Sequence, residues 1–455
     1  MFLELSGARP SEAAAARIAA EKAAEEALTT TDSKTAMALS LDGQIVAPTI
    51  MTNAVGLSTV EVRVLACREL QAPESPARTR HLEVSLPPDF DYTAGDHLGV
   101  CPQNDDETVE KLAQHQGAAL DGVFSVPKSM KVRAVPRGVP LQVRNVLTCL
   151  VDITSMPNVA LIDLLLDKVT EPDERAKLEE IKRVLMTPDS SDSPLRAAIN
   201  AGAYDVLQLL EEFSSCSINL FEFLQVAQPL RPRYYSTSSS PRIHGNTTAH
   251  ISVGRRDSSV PGMPNRRFRG MSSHYVHTRR EGDRMNIFVD RAEGFHLQDD
   301  VAKPMIFVSA GTGYAPMRAF LWERLAMRRE GVELGPAMLF NGIRASKLDY
   351  IYRDEIEMFV DEGVLDHLHV AMSREVSDKR EYVQDRIVDQ GALVWQLVQQ
   401  AGCVYVCGSQ AMRDDVRSAF VTVFAAHGAM TPQAAEACMV KLETEENRYR
   451  PDVWG

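Results

Sequence analysis

Several things this sequence of 455 residues lacks narrow its class before any motif is read. No apolar run approaches the roughly 18 residues that cross a bilayer, and the N-terminus has no apolar core of a signal peptide. Cysteine pairing is missing too. The seven cysteines (Cys67, Cys101, Cys149, Cys216, Cys403, Cys407 and Cys438) are odd in number and contain no CxxC pair, so neither a disulfide framework nor a metal site is expected. A soluble, cytoplasmic protein with reduced thiols is the expectation. Positive charge is also short: 49 Lys and Arg face 62 Asp and Glu, a net of -13, so nucleic acid would meet a repulsive field. What is present is core-forming residues, 44% of the chain, enough at this length for two or three domains.

One window departs from the acidic background. Residues 231–280 hold ten arginines, no lysine and a single acid, Asp257, a local charge of +10 − 1 = +9. An anionic ligand is expected there.

Along the chain the patterning changes three times. Residues Pro10 to Leu28 are strong helix formers with almost no bulky side chains and Ser11 as N-cap, followed by a Thr/Ser-rich stretch. Residues 1–55 therefore read as a linker, with something expected upstream of it. From Val60, period-two runs (Val60, Val62, Val64; Leu82, Val84, Leu86; Ile251, Val253; Met285, Ile287, Val289) predict half-buried antiparallel strands. Between them, from Asn104 to about Leu230, the period is helical, with Val109 and Leu112, then Leu178, Ile181 and Leu185, then Val206, Leu207, Leu210 and Phe213. An all-helical insertion is predicted there. After Lys303, apolar strands alternate with helices (MIFVSA, AMLFNGIR, HLHVAMSRE, VYVCGS), which predicts a parallel, doubly wound sheet.

Gly311, Thr312 and Gly313 follow the first of these strands directly, with Pro316 where a helix begins. Glycines let a backbone approach a pyrophosphate, whose charge the free N–H groups of the helix N-terminus meet. The motif reads GxGxxP, and an ordinary strand-to-helix turn is an equal reading of it. No acid stands where a ribose 2′-hydroxyl is gripped. Instead Ser373 and Arg374 end a later strand, with Arg380, Tyr382 and Gln384 close behind. Two guanidiniums and hydroxyl donors suit a dianionic 2′-phosphate, hence NADPH, while a solvated charge cluster is the plainer reading of Ser373 and Arg374 alone.

The segment RPRYYSTSSS places Arg233, Tyr235 and Ser236 in an R-x-Y-S pattern just after the helical block. It offers a cation for a pyrophosphate, a ring to stack on a planar heterocycle and a hydroxyl for a ring nitrogen.

These motifs, with RHLEVSLP, GDHLGVCPQN, GTGYAPMRAF, DYIYRDE, SRE followed by YVQ, VYVCG and DVWG, occur in the order of one family from about Val60 to Gly455. The sequence resembles the FAD/NADPH part of the diflavin reductases, the NADPH–cytochrome P-450 reductase family. It is most similar to the reductase part of self-sufficient fatty-acid hydroxylase fusions. The resemblance implies a ferredoxin-reductase-like FAD-binding barrel (residues 56–104 and 229–300), a helical connecting insertion (105–228) and an NADPH-binding domain (301–455). It implies Arg233 on the FAD pyrophosphate, Tyr235 on the flavin and Ser236 near its hydride-accepting nitrogen. Tyr234, Ile251, Ser252 and Val253 also fall among the implied cofactor-binding residues, and Gly270, Met271, Ser272 and Ser273 match the loop for the FAD pyrophosphate. Gly311, Thr312 and Gly313 would meet the NADPH pyrophosphate, and Ser373, Arg374, Arg380, Tyr382 and Gln384 its 2′-phosphate.

By the same resemblance Ser236, Cys407 and Asp452 surround the point of hydride transfer, and Trp454 covers the flavin as a gate. Read without it, core filling is the better reading of Cys407. The chain departs from the pattern at Met271-Ser272, at Gly342-Ile343-Arg344 and at Ser409 after Cys407-Gly408. The Arg-rich segment RDSSVPGMPNRRFRG is open to three readings: FAD contact, FMN-domain docking or solvated loop. No stretch of residues 1–55 can form an FMN-binding domain, so the implied partners are a separate flavodoxin-like FMN domain and, through it, a P-450 haem domain. A stand-alone ferredoxin or flavodoxin reductase is the alternative enzyme, disfavoured by the helical insertion, and a non-catalytic NADPH sensor is the alternative from another class.

Overall fold

The computed structural model describes residues 59–454 apart from 89, 188–192 and 377–378; the linker and helix expected before residue 56 lie outside these. Six strands form the first sheet: β1 (Val60–Glu69), β2 (Thr79–Ser85), β3 (His97–Cys101), and later β6 (Arg233–Ser236), β7 (Thr248–Gly254) and β10 (Arg284–Asp290), in the order β6-β3-β10-β1-β2-β7. Alternation explains the fold of β1: Val62 and Val64 point inward while Glu61, Arg63 and Leu65 face out. A register shift between Val64 and Ala66 lets the first half of β1 pair with β10 and the second half with β2. The ribbon then closes, because Thr237 bridges Ile251 and the Ser238 N–H donates to the His250 carbonyl at 2.7 Å. Val62, Val64, Leu82, Val84, Leu98, Val100, Ile251, Val253, Met285 and Ile287 fill the barrel so formed.

The block between β3 and β6 carries helices α1 (Asp106–His115), α2 (Val143–Cys149), α3 (Val159–Lys168), α4 (Pro172–Met186), α5 (Pro194–Asn200), α6 (Val206–Glu212) and α7 (Leu220–Val226). Side-chain caps start several of them: Asp105 accepts from Thr108 N–H, Asn158 from Leu161, Asp205 from Gln208 and Asn219 from Glu222. The block is not wholly helical as expected. A two-stranded ribbon, β4 (Val123–Ser125) with β5 (Pro140–Gln142), lies within it, three residues a side and too short to leave a periodic signal. Its core of Val109, Leu112, Ile162, Leu178, Ile181, Leu209 and Phe213 lies apart from the barrel interior but extends onto Cys101 of β3 and Phe288 of β10. Entry and exit meet, since Val100 of β3 is the antiparallel partner of Arg233 of β6.

Helix α8 (Pro241–His244) lies between β6 and β7, and between β7 and β10 the chain forms the hairpin β8 (Asp257–Val260) and β9 (Met263–Arg269) and then α9 (Met271–Thr278). Beyond the barrel, β11 (Met305–Ala310), β12 (Ala337–Ile343), β13 (His367–Met372), β14 (Cys403–Ser409) and β15 (Tyr449–Trp454) make a fully parallel sheet in the order β13-β12-β11-β14-β15. Met305 and Phe307 face helices α10 (Tyr314–Arg329) and α11 (Arg353–Asp361), whereas Ile306 and Val308 face α12 (Val383–Asp389), α13 (Gly391–Gln399), α14 (Gln410–His427) and α15 (Pro432–Thr444). Covered on both sides, these strands read as continuous apolar runs. The architecture is thus the antiparallel barrel, helical insertion and doubly wound parallel sheet expected from the sequence. The strand at Tyr449–Trp454 was not among the expected elements; its Pro451 and Asp452 hide it from any propensity argument.

Candidate active site

Strand order reverses between β11 and β14, and ligands of open α/β sheets bind in the crevice at such a switch point. There the single 3-10 turn Gly311–Gly313 leads into α10, with Pro316 inside its first turn rather than at its start. A Cβ on Gly313 would sit 2.1 Å from the Cys407 carbonyl oxygen, so only glycine lets the turn lie against β14. Gly311 has φ +56, and a Cβ there would meet nothing within 4 Å: the outer side of the turn is open, as a pyrophosphate-binding turn requires.

The same crevice gathers four polar groups from four strands. Parallel pairing sets Asp452 of β15 beside Cys407 of β14. Asp452 Oδ2 accepts from Ser236 Oγ at 2.7 Å and from Cys407 Sγ at 3.8 Å, and both its oxygens lie 3.1 Å from His97 Nε2. Burial pushes the Asp452 carboxyl up, but the hydrogen bonds and charge of His97, with those of Ser236 and Cys407, outweigh it and hold the group below the usual carboxylate range. Burial, reinforced by Asp452, raises the Cys407 thiol well above its ordinary value, so it stays protonated and donates. Ser236, Cys407 and Asp452 are therefore brought together. His97 is the member that sequence reasoning misses. It lies 355 residues from its partner as the first residue of a strand, and a lone histidine in GDHLGV carries no spacing signal. Trp454 ends β15 opposite Ser409, with 46% of its surface exposed.

On the barrel side, the Tyr235 hydroxyl donates to Ser272 Oγ at 2.9 Å, which joins the R-x-Y-S strand to the N-terminus of α9, where Gly270, Met271, Ser272 and Ser273 lie. Arg233 is exposed, its Nη1 bonded to the Arg231 carbonyl at 3.0 Å. Tyr234 faces Phe288 edge-on at 5.5 Å. The side chains of Ile251 and Val253 are spent in the barrel core and Ser252 on Tyr352, so these three residues have only backbone groups left for a ligand.

The residues expected at a 2′-phosphate lie between the end of β13 and the start of α12. Ser373 N–H donates to the Ile343 carbonyl at 3.0 Å and Arg374 N–H to that of Arg344 at 2.7 Å, beside the end of β12. Arg374, Arg380 and Tyr382 are exposed, Tyr382 capping α12. Gln384 Nε2 is already held by Asp415 Oδ2 at 3.2 Å. The excess of arginine is less available than its sum of charges implies. Arg255 and Arg267 share Asp257, Arg266 pairs with Glu212, Arg242 with Glu323 and Glu330, and Arg256 and Arg279 lie over Phe268 and Tyr275.

A second polar cluster joins the barrel to the parallel sheet away from Cys407. On the barrel it holds His81 and Glu83 of β2 with His250 and Ser252 of β7; on the other side stand Arg318 and Glu323 of α10 with Tyr352 and Glu355 at α11. Arg318 donates twice to Glu355, at 2.6 and 3.0 Å, and once to the Ser238 carbonyl. His81, Glu83 and His250 bring three donor atoms within 4.8 Å of one another. Arg318, which can only donate, stands 3.5 Å from His250 Nδ1, and this leaves the proton of His250 on Nε2, toward Glu83. The arrangement is that of a hydrogen-bond network rather than of a cation site.

Two family models match the chain: "FAD binding domain" over residues 57–275 and "Oxidoreductase NAD-binding domain" over 307–418. Among curated proteins, the bifunctional cytochrome P450/NADPH–P450 reductase 1 of Bacillus subtilis is 35% identical over 393 residues, 85% of this chain and 36% of that protein. The NADPH–cytochrome P450 reductase of Drosophila melanogaster is 31% identical over 386 residues, 82% of this chain and 55% of that protein. That of Homo sapiens is likewise 31% identical over 386 residues, 82% and 55%. The chain thus spans between about a third and just over half of the length of these relatives. It carries an FAD binding domain followed by an oxidoreductase NAD-binding domain.

Proposed function

From a chain that carries both of these domains, we propose an NADPH-dependent flavoprotein reductase that takes hydride onto FAD and passes electrons singly to a separate FMN-bearing, flavodoxin-like domain, and through it to a P-450 haem. The observation that carries the proposal is the Ser236–Asp452–His97–Cys407 cluster, built half by the barrel and half by the parallel sheet at its switch point. FAD supplies the accepting ring and NADPH the hydride when both are bound.

The residues supply alignment and charge. Tyr235, Tyr234, Arg233 and the Gly270–Ser273 turn would hold FAD, with backbone from Ile251, Ser252 and Val253. Gly311, Thr312 and Gly313 would take the NADPH pyrophosphate, and Ser373, Arg374, Arg380 and Tyr382 its 2′-phosphate, with Gln384 released from Asp415. Asp452, kept ionised by its three donors, stabilises positive charge that grows on the nicotinamide side. Ser236 donates toward Asp452 from the barrel side of the cleft and would lie near the bound flavin, while the protonated Cys407 donates to Asp452 from the parallel sheet. Trp454 would cover the flavin and move aside for nicotinamide.

The proposed division is 56–104 and 229–300 for the barrel, 105–228 for the insertion and 301–455 for the NADPH domain. The helical insertion weighs against a stand-alone ferredoxin reductase. Among the described residues no helix is long and apolar enough to cross a membrane, and all seven cysteines are free, which supports a cytoplasmic setting. Purified protein should be yellow, should bleach with NADPH under anaerobic conditions and should then reduce an added FMN domain. Colourless protein, or a flavin that NADPH leaves oxidised, would overturn the proposal in favour of a sensor.

A further inference from the structure

We propose that Tyr352 is a positioning residue: the polar seam around its hydroxyl fixes the rotation of the parallel sheet against the barrel and so sets the alignment needed at the Asp452 cluster. This rests on the function proposed above.

The residue is held in a way that ordinary packing does not require. Tyr352 has φ 55, a left-handed conformation that a bulky L-residue adopts only when its surroundings compel it. Its hydroxyl is 2.7 Å from His81 Nδ1 and 2.7 Å from Ser252 Oγ, residues of two neighbouring barrel strands. The direction of this chain follows from chemistry. His81 Nε2 stands 3.0 Å from the Glu83 carboxylate and must donate to it, because a lone pair facing that anion would repel. Nδ1 therefore accepts from the Tyr352 O–H, whose oxygen in turn accepts from Ser252. The relay Ser252 to Tyr352 to His81 to Glu83 has every proton assigned and crosses the boundary at a single hydroxyl. Above the ring lies the Arg318 guanidinium, 4.7 Å from its centre, and Arg68 of β1 is 5.4 Å away.

The mechanical argument is one of attachment points. Ser236 and His97, on β6 and β3, touch Asp452 at one end of the boundary. A body held at one place can still swing about it. His81 and Ser252, on β2 and β7, fix Tyr352 at a second place, beside the Arg318–Ser238, Ser240–Glu323 and Arg68–Glu355 contacts, and a seam spread over several strands opposes that rotation. Positional errors of about 1 Å at reacting atoms cost on the order of a hundredfold in rate, so even a small swing is felt.

Tyr352→Phe removes the hydroxyl and keeps the ring beneath Arg318. Expected are flavin content and affinity for adenosine 2′,5′-bisphosphate within about twofold of the parent, but flavin reduction at saturating NADPH slowed roughly tenfold. The long-wavelength charge-transfer absorbance of nicotinamide against flavin should weaken, and amide hydrogen exchange should quicken in residues 249–254 and 349–356. His81→Gln breaks the same relay from the barrel side, so the double variant should be no slower than Tyr352→Phe alone. It also supplies the same readings if Tyr352→Phe loses its flavin. A saturating rate and charge-transfer band equal to the parent's overturn the positioning role, as does a loss confined to nucleotide affinity. Failure of the parent itself to be reduced by NADPH would sink the proposed function instead.

Discussion

Acid should loosen the boundary between barrel and sheet well before it titrates the carboxylates, and the size of the effect follows from two histidines. Burial, followed by the charges of Arg318, Arg68 and His244, pushes His81 down to about 2. Burial, then His244, His81, Arg318 and Arg68, does the same to His250. Glu83 is the anion that faces both rings, at 3.0 and 3.6 Å, and opposes this shift. A histidine whose folded pKa is depressed contributes stability that is complete above its unfolded value and is lost as the pH falls below it. The window here runs down from about 6.5, the ordinary value, toward 2.

At pH 5.5 the unfolded chain binds protons that the folded chain refuses, worth about 1.4 kcal/mol per histidine and about 3 kcal/mol for the pair; at pH 7.5 the same sum is close to zero. This figure is insensitive to the folded value so long as that stays below about 4.5. The assay is urea denaturation at both pH values, followed by fluorescence of Trp322, which stands edge-on to His244 at 5.4 Å within the seam. Between pH 7.5 and 5.5 the parent should lose about 3 kcal/mol more than the His81→Gln/His250→Gln variant does. Equal losses would mean that Glu83 rescues the charged imidazoles, and the reasoning would be refuted.

Three further outcomes are expected. Arg374→Ala should raise KM for NADPH by the roughly 1.5 to 3 kcal/mol of a charge-assisted hydrogen bond and leave NADH almost unaffected; an unchanged ratio would remove Arg374 from the phosphate site. Trp454→Ala should relax the preference for NADPH over NADH several-fold, since about 1 kcal/mol of ring stacking no longer has to be displaced, and equal preferences in mutant and parent would count against a gate. His97→Phe takes from Asp452 the donor that does most to hold its carboxyl low, so the acid limb of the pH profile for flavin reduction should move to higher pH; an unmoved limb would detach His97 from the site.

The barrel is legible in the sequence because its strands bury one face, so valines alternate with charges in VEVRV. The parallel sheet is legible for the opposite reason: strands buried on both faces are continuous apolar runs ended by Gly-Thr-Gly or Cys-Gly. Ser236, Cys407 and Asp452 stand in ordered motifs, and the fold sets them within reach of one another. Residues that act only across the boundary have no such pattern. His97 meets Asp452, His81 meets Tyr352 and Arg318 meets Ser238 over separations that no local period encodes. The charge sum of the arginine-rich window does not show which members are engaged: Arg255 and Arg267 share Asp257, and Arg266 pairs with Glu212 from outside the window. The ribbon β4–β5 and the strand β15 escape because three-residue strands and a strand containing proline leave too little signal.

That Val100 and Arg233 lie side by side as antiparallel neighbours has a consequence for how this protein can be taken apart. The helical block leaves the barrel and returns to it through a single doorway one strand spacing wide, and its apolar interior continues onto Cys101 and Phe288 of the barrel strands. A tight turn linking β3 directly to β6 would satisfy the same ladder. With Cys101 and Phe288, which the block buries, replaced by polar residues, the barrel and parallel sheet should survive as a minimal two-part scaffold, onto which blocks of different size and shape could be spliced at that doorway.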